Sequence, residues 1–150
     1  MRVEKAWPAI IGPETFRLCA AASPCEYAKH HGGTGANISW NLRLLDQDPL
    51  LVGPVGQDGG QYTALMRERK IDTSRVEQLD KHVTATAIIG TDDAERQIAF
   101  FHPGADAHGT WPADQLKDER EDIAWGIVSP RNGALMMQAA RWLAAQKISW

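Results

Sequence analysis

Gly32-Gly33-Thr34-Gly35-Ala36-Asn37 is the segment whose residue types and spacing point most directly to chemistry. Glycines let the backbone approach a ligand closely and adopt positive φ. The helix predicted to follow offers unpaired N–H groups and a positive dipole end at the same place. Asn37 falls in its first turn, where a side-chain amide that donates and accepts suits a sugar hydroxyl. The competing reading is a plain glycine-rich helix start with a capping Asn. No Gly-Lys-Ser/Thr follows, so the loop is not a Walker phosphate loop, and no clear strand precedes it, as a dinucleotide fingerprint needs.

Other reactive residues carry less. His30, His31, His82, His102 and His108 are scattered with no His-x3-His pair, and no metal site is expected. Asp92, Asp93 and Glu95 read as a solvated hairpin turn rather than a cation site. Asp106, in Pro103-Gly104-Ala105-Asp106, reads as a turn residue ahead of any role in a pocket. Cys19 and Cys25 fit neither a disulfide framework nor a zinc spacing. Free thiols and a cytoplasmic location are the expectation.

The surrounding elements must position the loop. Ile38, Leu42 and Leu45 form a helical stripe, closed by Asp46-Gln47-Asp48-Pro49. Leu50 to Val55 suits a strand buried on both faces. Gly56 to Gly60 is a turn, and Gln61 to Lys70 a helix with Tyr62, Leu65, Met66 and Arg69 at helical spacing. Val83–Ile89 and Gln97–Phe101 predict a hairpin around Asp92-Asp93. Pro112 to Asp122 suits a short surface helix, and Ile123 to Ser129 another buried strand. Asn132 is placed to cap a helix through Gln146, with Leu135, Ala139, Trp142 and Leu143 on one face. Trp125 and Trp142 suit buried positions, Trp111 and Trp150 exposed ones. Ile148-Ser149-Trp150 begins a further strand. Before Gly32 the signals conflict: a short strand is suggested near Ala9 to Ile11, then an apolar run from Phe16 to Ala22. Strands alternating with helices predict an α/β fold with a parallel sheet.

Composition bounds the possibilities. The chain has 150 residues, 43% hydrophobic and 23% charged, enough for one domain with a real core. Its 16 Lys and Arg against 19 Asp and Glu give a net charge of -3. Without a basic excess, nucleic acid is not an expected partner. Apolar runs are short, so no membrane span is expected, and the N-terminus does not resemble a signal peptide.

Several segments in order resemble the PfkB, or ribokinase-like, family of sugar and nucleoside kinases, above all its bacterial adenosine-kinase-like members. Gly32-Gly33-x-Gly35-Ala36-Asn37-x-Ser39, Gly53 and Gly56-Gln57-Asp58-Gly59-Gly60 resemble its first signature region. Ile71-Asp72-Thr73-Ser74, Thr84-Ala85-Thr86-Ala87, Gln97 to Ala105 and Ile127 to Pro130 resemble later segments, so the likeness covers roughly residues 26–147. It implies a Rossmann-like sheet covered by helices with a small β lid, to which residues 83–101 contribute. It also implies ATP and Mg²⁺ as cofactors, a sugar or nucleoside hydroxymethyl group as acceptor, and Gly32, Gly33 and Asn37 as substrate-binding residues. A homodimer through the lid or an exposed sheet edge is a further expectation.

The departures are specific. The family's Gly-Ala-Gly-Asp motif, which carries its catalytic Asp, is absent, and so is its Asn-x-x-Glu segment. No Asp precedes Asp46, Lys70 replaces the usual Gly before Ile71, and Arg131 stands where Asn or Asp is common. The expectation is an N-terminal, substrate-side half of such a fold across residues 1–150, with no catalytic residue of its own. The alternative is an inactive fragment that binds or dimerises.

Overall fold

The computed structural model describes residues 28–92, 94–117 and 120–150. The strand suggested near Ala9 to Ile11, the run from Phe16 to Ala22, and both cysteines lie outside the described residues. Two compact units are present: His31–Thr86 with Pro103–Trp150, and Ala87–His102 with the segment ending at His30.

The larger unit begins with α1 (Thr34–Leu44), β1 (Leu50–Gly56), α2 (Gly60–Glu68) and β2 (Asp72–Leu79). β1 and β2 pair in parallel, from Leu50 opposite Asp72 to Gly56 opposite Leu79, with an irregularity between Leu50 and Val52. Successive strand residues point to opposite faces, and β1 uses both. Leu51 packs with Ala36, Met66 and Ile71 under α1 and α2, whereas Leu50 packs with Leu116, Trp142, Leu143 and Ile148. The latter come from α3 (Ala113–Lys117), α4 (Gly133–Ala145) and the residues after α4. The parallel pair is therefore covered on both faces, the α/β layering that the alternating elements predict.

Local chemistry accounts for the helix ends. Asn132 caps α4 as expected, its Oδ1 accepting from Ala134 N at 2.9 Å. At their C-termini α1, α2 and α4 close alike. In α2, Lys70 N donates to Arg67 O at 2.8 Å and Ile71 N to Met66 O at 3.0 Å. This crossed pair needs a left-handed residue after the helix, and Asp46, Lys70 and Lys147 fill that place with φ of 58°, 59° and 57°. Glycine is the easy occupant, which explains the Gly usual at the position of Lys70.

Four sequence expectations change. The buried positions of α1 are Ala36 and Ser39, not the stripe of Ile38, Leu42 and Leu45. Small residues win because the helix comes close: a Cβ on Gly35 would lie 3.1 Å from Ser129 Oγ and 3.7 Å from Leu51 Cδ1. β2 is a strand that its polar sequence hides. Its sole buried residue is Thr73, whose Oγ1 accepts from Arg67 Nε at 2.8 Å. Residues 123–129 form no strand. They make one bridge, Trp125 to Ser149, and leave Trp125 72% exposed, because among the described residues no second strand flanks them. Trp111 instead is half-buried against Trp142.

The smaller unit is the predicted hairpin, β3 (Thr86–Thr91) paired with β4 (Gln97–His102). Its turn is organised by Asp92, whose Oδ1 accepts from Ala94 N and Arg96 N, each at 2.9 Å, while Oδ2 accepts from Arg96 Nε at 2.9 Å. Asp92 is therefore a turn residue as expected, but its side chain keeps only 2% of its surface open rather than being solvated, and Asp93 lies outside the described residues.

Two substitutions test the packing and the caps. A Cβ on Gly56 would stand 2.3 Å from Val83 C, a backbone atom unable to yield, whereas nothing lies within 4 Å of one on Gly60. Gly56→Ala is expected to cost about 3 kcal/mol in urea unfolding, and Gly60→Ala to be neutral or mildly stabilising. Lys70→Gly relieves the left-handed strain of about 1–2 kcal/mol against glycine's entropy cost of about 0.5–1 kcal/mol. It should raise the urea midpoint slightly; a lower midpoint contradicts this account of the cap.

Candidate functional site

The glycine loop reaches the N-terminus of α1 in an open setting. Residues 28–34 and Asn37 are exposed. Gly33 stands before the helix at φ 98° and ψ 127°, and no side chain caps the helix there. That φ restricts the position to glycine in practice. Gly33 O accepts from Asn37 N at 2.9 Å, closing the first turn. The preceding N–H groups have no partner within the helix, and the first turn carries no acidic residue to offset its dipole.

The glycines divide by role. A Cβ on Gly32 would meet nothing within 4 Å, and one on Gly33 only Tyr62 Oη at 3.9 Å. Gly35 is the packing glycine, pressed toward Ser129 and Leu51. Among the described residues the space beside Gly32 and Gly33 is thus open to that distance, as would be required for a ligand to approach their backbone.

Asn37 projects from the first turn. Its carbonyl accepts from Asn41 Nδ2 at 2.8 Å, while its own side-chain amide carries no hydrogen bond among the described residues. Tyr62, in the first turn of α2, braces the loop from the other side: its hydroxyl donates to Gly32 O at 2.7 Å, and its ring lies 5.4 Å from that of His31. Partial burial raises the Tyr62 hydroxyl above the ordinary 10.0. The sequence marks Tyr62 only as one of the residues at helical spacing in α2. Its contact spans thirty residues of chain, and no local pattern signals it.

A second assembly joins the end of β1 to both roots of the hairpin. Gly56 N donates to Thr84 Oγ1 at 3.0 Å, and Asp58 Oδ1 accepts from Thr84 N and Thr84 Oγ1, each at 2.7 Å. Ala105 N donates to Val83 O at 2.8 Å. Gly104, with φ 48°, lets this contact form; a Cβ there would lie 2.2 Å from Val83 O. The signature residues Gly56, Asp58 and Gly104 thus hold the segment leading into the hairpin. Asp106 accepts from Arg131 Nε at 3.1 Å and Asn132 N at 3.0 Å, a structural role consistent with the turn reading. His82 and His108 stack at 3.9 Å. Among the described residues no three His, Cys, Asp or Glu side chains converge as metal ligands, and no helix is long and apolar enough to cross a membrane.

Tyr62 gives the pH prediction. Its neutral form is favoured by the fold, so its contribution to stability is complete below the ordinary value and is lost as pH rises through the higher folded value. In an ultraviolet absorbance titration, the difference between the native chain and Tyr62→Phe should show an ionisation above that of tyrosine in the urea-unfolded chain. Coincident midpoints contradict the partial burial of Tyr62.

Residues 19–147 match the family described as pfkB family carbohydrate kinase. The nucleoside kinase of Methanothermobacter thermautotrophicus is 33% identical over 95 residues, which are 60% of this chain and 31% of that protein. The ATP-dependent 6-phosphofructokinase of Thermoanaerobacterium thermosaccharolyticum is 30% identical over 93 residues, 61% of this chain and 28% of that protein. The solved structure of Burkholderia thailandensis nucleoside kinase in complex with inosine superposes with a TM-score of 0.64 at 30% identity, covering 78% of this chain and 38% of that one. Halothermothrix orenii fructokinase, at 20% identity and a TM-score of 0.67 over 82% of this chain and 46% of its own, shares the fold. The chain therefore spans about a third of the length of the curated relatives it matches.

Proposed function

The chain belongs to the pfkB family of carbohydrate kinases, and from that premise we propose that it forms the substrate side of an ATP-dependent phosphoryl transfer to a sugar or nucleoside hydroxymethyl group. The observation that carries this reading is the open backbone of Gly32 and Gly33 beside the unpaired Asn37 amide. In this reading Gly32 and Gly33 admit the sugar against the main chain. Asn37 donates to one hydroxyl and accepts from another, and Tyr62 keeps Gly32 in place through its hydrogen bond.

Phosphoryl transfer also needs in-line positioning, a base and neutralisation of the developing charge. The sequence contains no Gly-Ala-Gly-Asp, and the described residues bring no three candidate ligands together. In this reading their contribution is binding and orientation. A second solved structure of Burkholderia thailandensis nucleoside kinase, in complex with ADP-inosine and 27% identical to this chain, supports nucleotide use in the family. The hairpin, with residues 83–101, serves as part of a lid in this proposal; excluding water protects a phosphoryl donor from hydrolysis.

A second reading rests on a separate observation. Ile88, Ile89, Phe100 and Phe101 are all exposed on the hairpin. Exposed apolar side chains on a two-stranded sheet favour self-association. That supports a binding or dimerising module without turnover.

Calorimetric titration of the full chain with inosine and with ribose separates the two. The substrate-side reading expects saturable binding of at least one, weakened about tenfold, or 1.4 kcal/mol, by Asn37→Ala with an unchanged urea midpoint. No binding by the unsubstituted chain, accompanied by concentration-dependent association in sedimentation, would instead support the dimerising module.

A further inference from the structure

Arg131 and Asp106 form an ion pair that the proposed function leaves unused. Their side chains keep only 15% and 18% of their surface open. Arg131 Nε donates to Asp106 Oδ1 at 3.1 Å, and Nη2 lies 3.0 Å from the same oxygen. Asp106 Oδ2 is engaged by Asn132 N at 3.0 Å, and Asn132 caps α4. The guanidinium is thus held to Asp106 by one hydrogen bond from Nε and by the close approach of Nη2, which is buried and makes no hydrogen bond among the described residues.

The third nitrogen is the informative one. Nη1 carries no hydrogen bond among the described residues, and it lies 3.8 Å from where a Cβ on Gly53 would stand. Gly53 is in the second half of β1. Ser129, two residues before Arg131, lies against Gly35 in the first turn of α1. Nη1 therefore adjoins Gly53 of β1, while Leu51 of the same strand and Ser129 adjoin Gly35 at the start of α1. The guanidinium charge is balanced by Asp106, so Nη1 offers a fixed N–H donor with no excess positive field. Such a donor suits a neutral acceptor, a hydroxyl or a base carbonyl or ring nitrogen, better than a phosphate dianion.

Resting on the proposed substrate site, the geometry points to Arg131 as a further substrate-binding residue, donating from Nη1 to a neutral acceptor atom of a nucleoside. Asp106 is its positioning residue.

The test is titration of the full chain with inosine, with urea unfolding measured on each variant. Arg131→Met is expected to weaken binding about tenfold, and Arg131→Lys to recover part of the loss by restoring a donor. Asp106→Asn should weaken binding, and combining it with Arg131→Met should add nothing further, since the two act through one contact. A purely structural pair would shift the urea midpoint while the folded protein kept its affinity, and that result overturns the inference. If Arg131→Met fails to fold, unchanged affinity in both Arg131→Lys and Asp106→Asn overturns it equally. Inosine binding that is lost in Asn37→Ala but intact in the Arg131 variants removes this inference alone. No saturable binding by the unsubstituted chain removes the site reading and this inference together.

Discussion

β1 is the constraint on which the larger unit depends. Leu50 and Leu51 are neighbours in sequence but belong to different cores, one shared with α4 and one with α1 and α2. A strand buried on both faces cannot slip by one residue, because every side chain would exchange environments. That fixed register sets where β1 ends, and Gly56 at that end holds Thr84. Ile71, only 2% exposed, secures β2 on the α1–α2 side.

The site draws its order from backbone as much as from side chains. Gly33 supplies a left-handed entry to α1, Gly35 a close approach, and Gly32 an open face. These are three different uses of one residue type within four positions. The helix dipole and unpaired N–H groups then favour an electron-rich ligand, while Asn37 supplies the only uncommitted side-chain amide on that turn. In the proposed reading this arrangement holds an acceptor still.

The hairpin roots show how a local signature is used at long range. Gly56 and Gly104 each lie against residues 82–84, where no side chain larger than hydrogen fits. Asp58 then engages both the amide and the hydroxyl of Thr84. In sequence, Gly56-Gln57-Asp58 reads as a turn and nothing more. Its partners lie about twenty-six residues away, beyond the reach of any periodicity argument.

The sequence by itself determined the alternation of helix and strand, the cap at Asn132, the Asp92 turn and the glycine loop, because each follows from nearest-neighbour backbone chemistry. It also carried enough ordered segments to reveal the family. Tertiary structure decided the rest. β2 is polar in sequence and exists because β1 pairs with it. Residues 123–129 are apolar and β-branched yet form no strand, since a strand requires a flanking ladder. Ala36 and Ser39, rather than Ile38 and Leu42, are the buried positions of α1 because close helix–sheet approach selects small side chains. Arg131 meets Asp106 across twenty-five residues, a pairing of opposite charges that only the folded chain brings together.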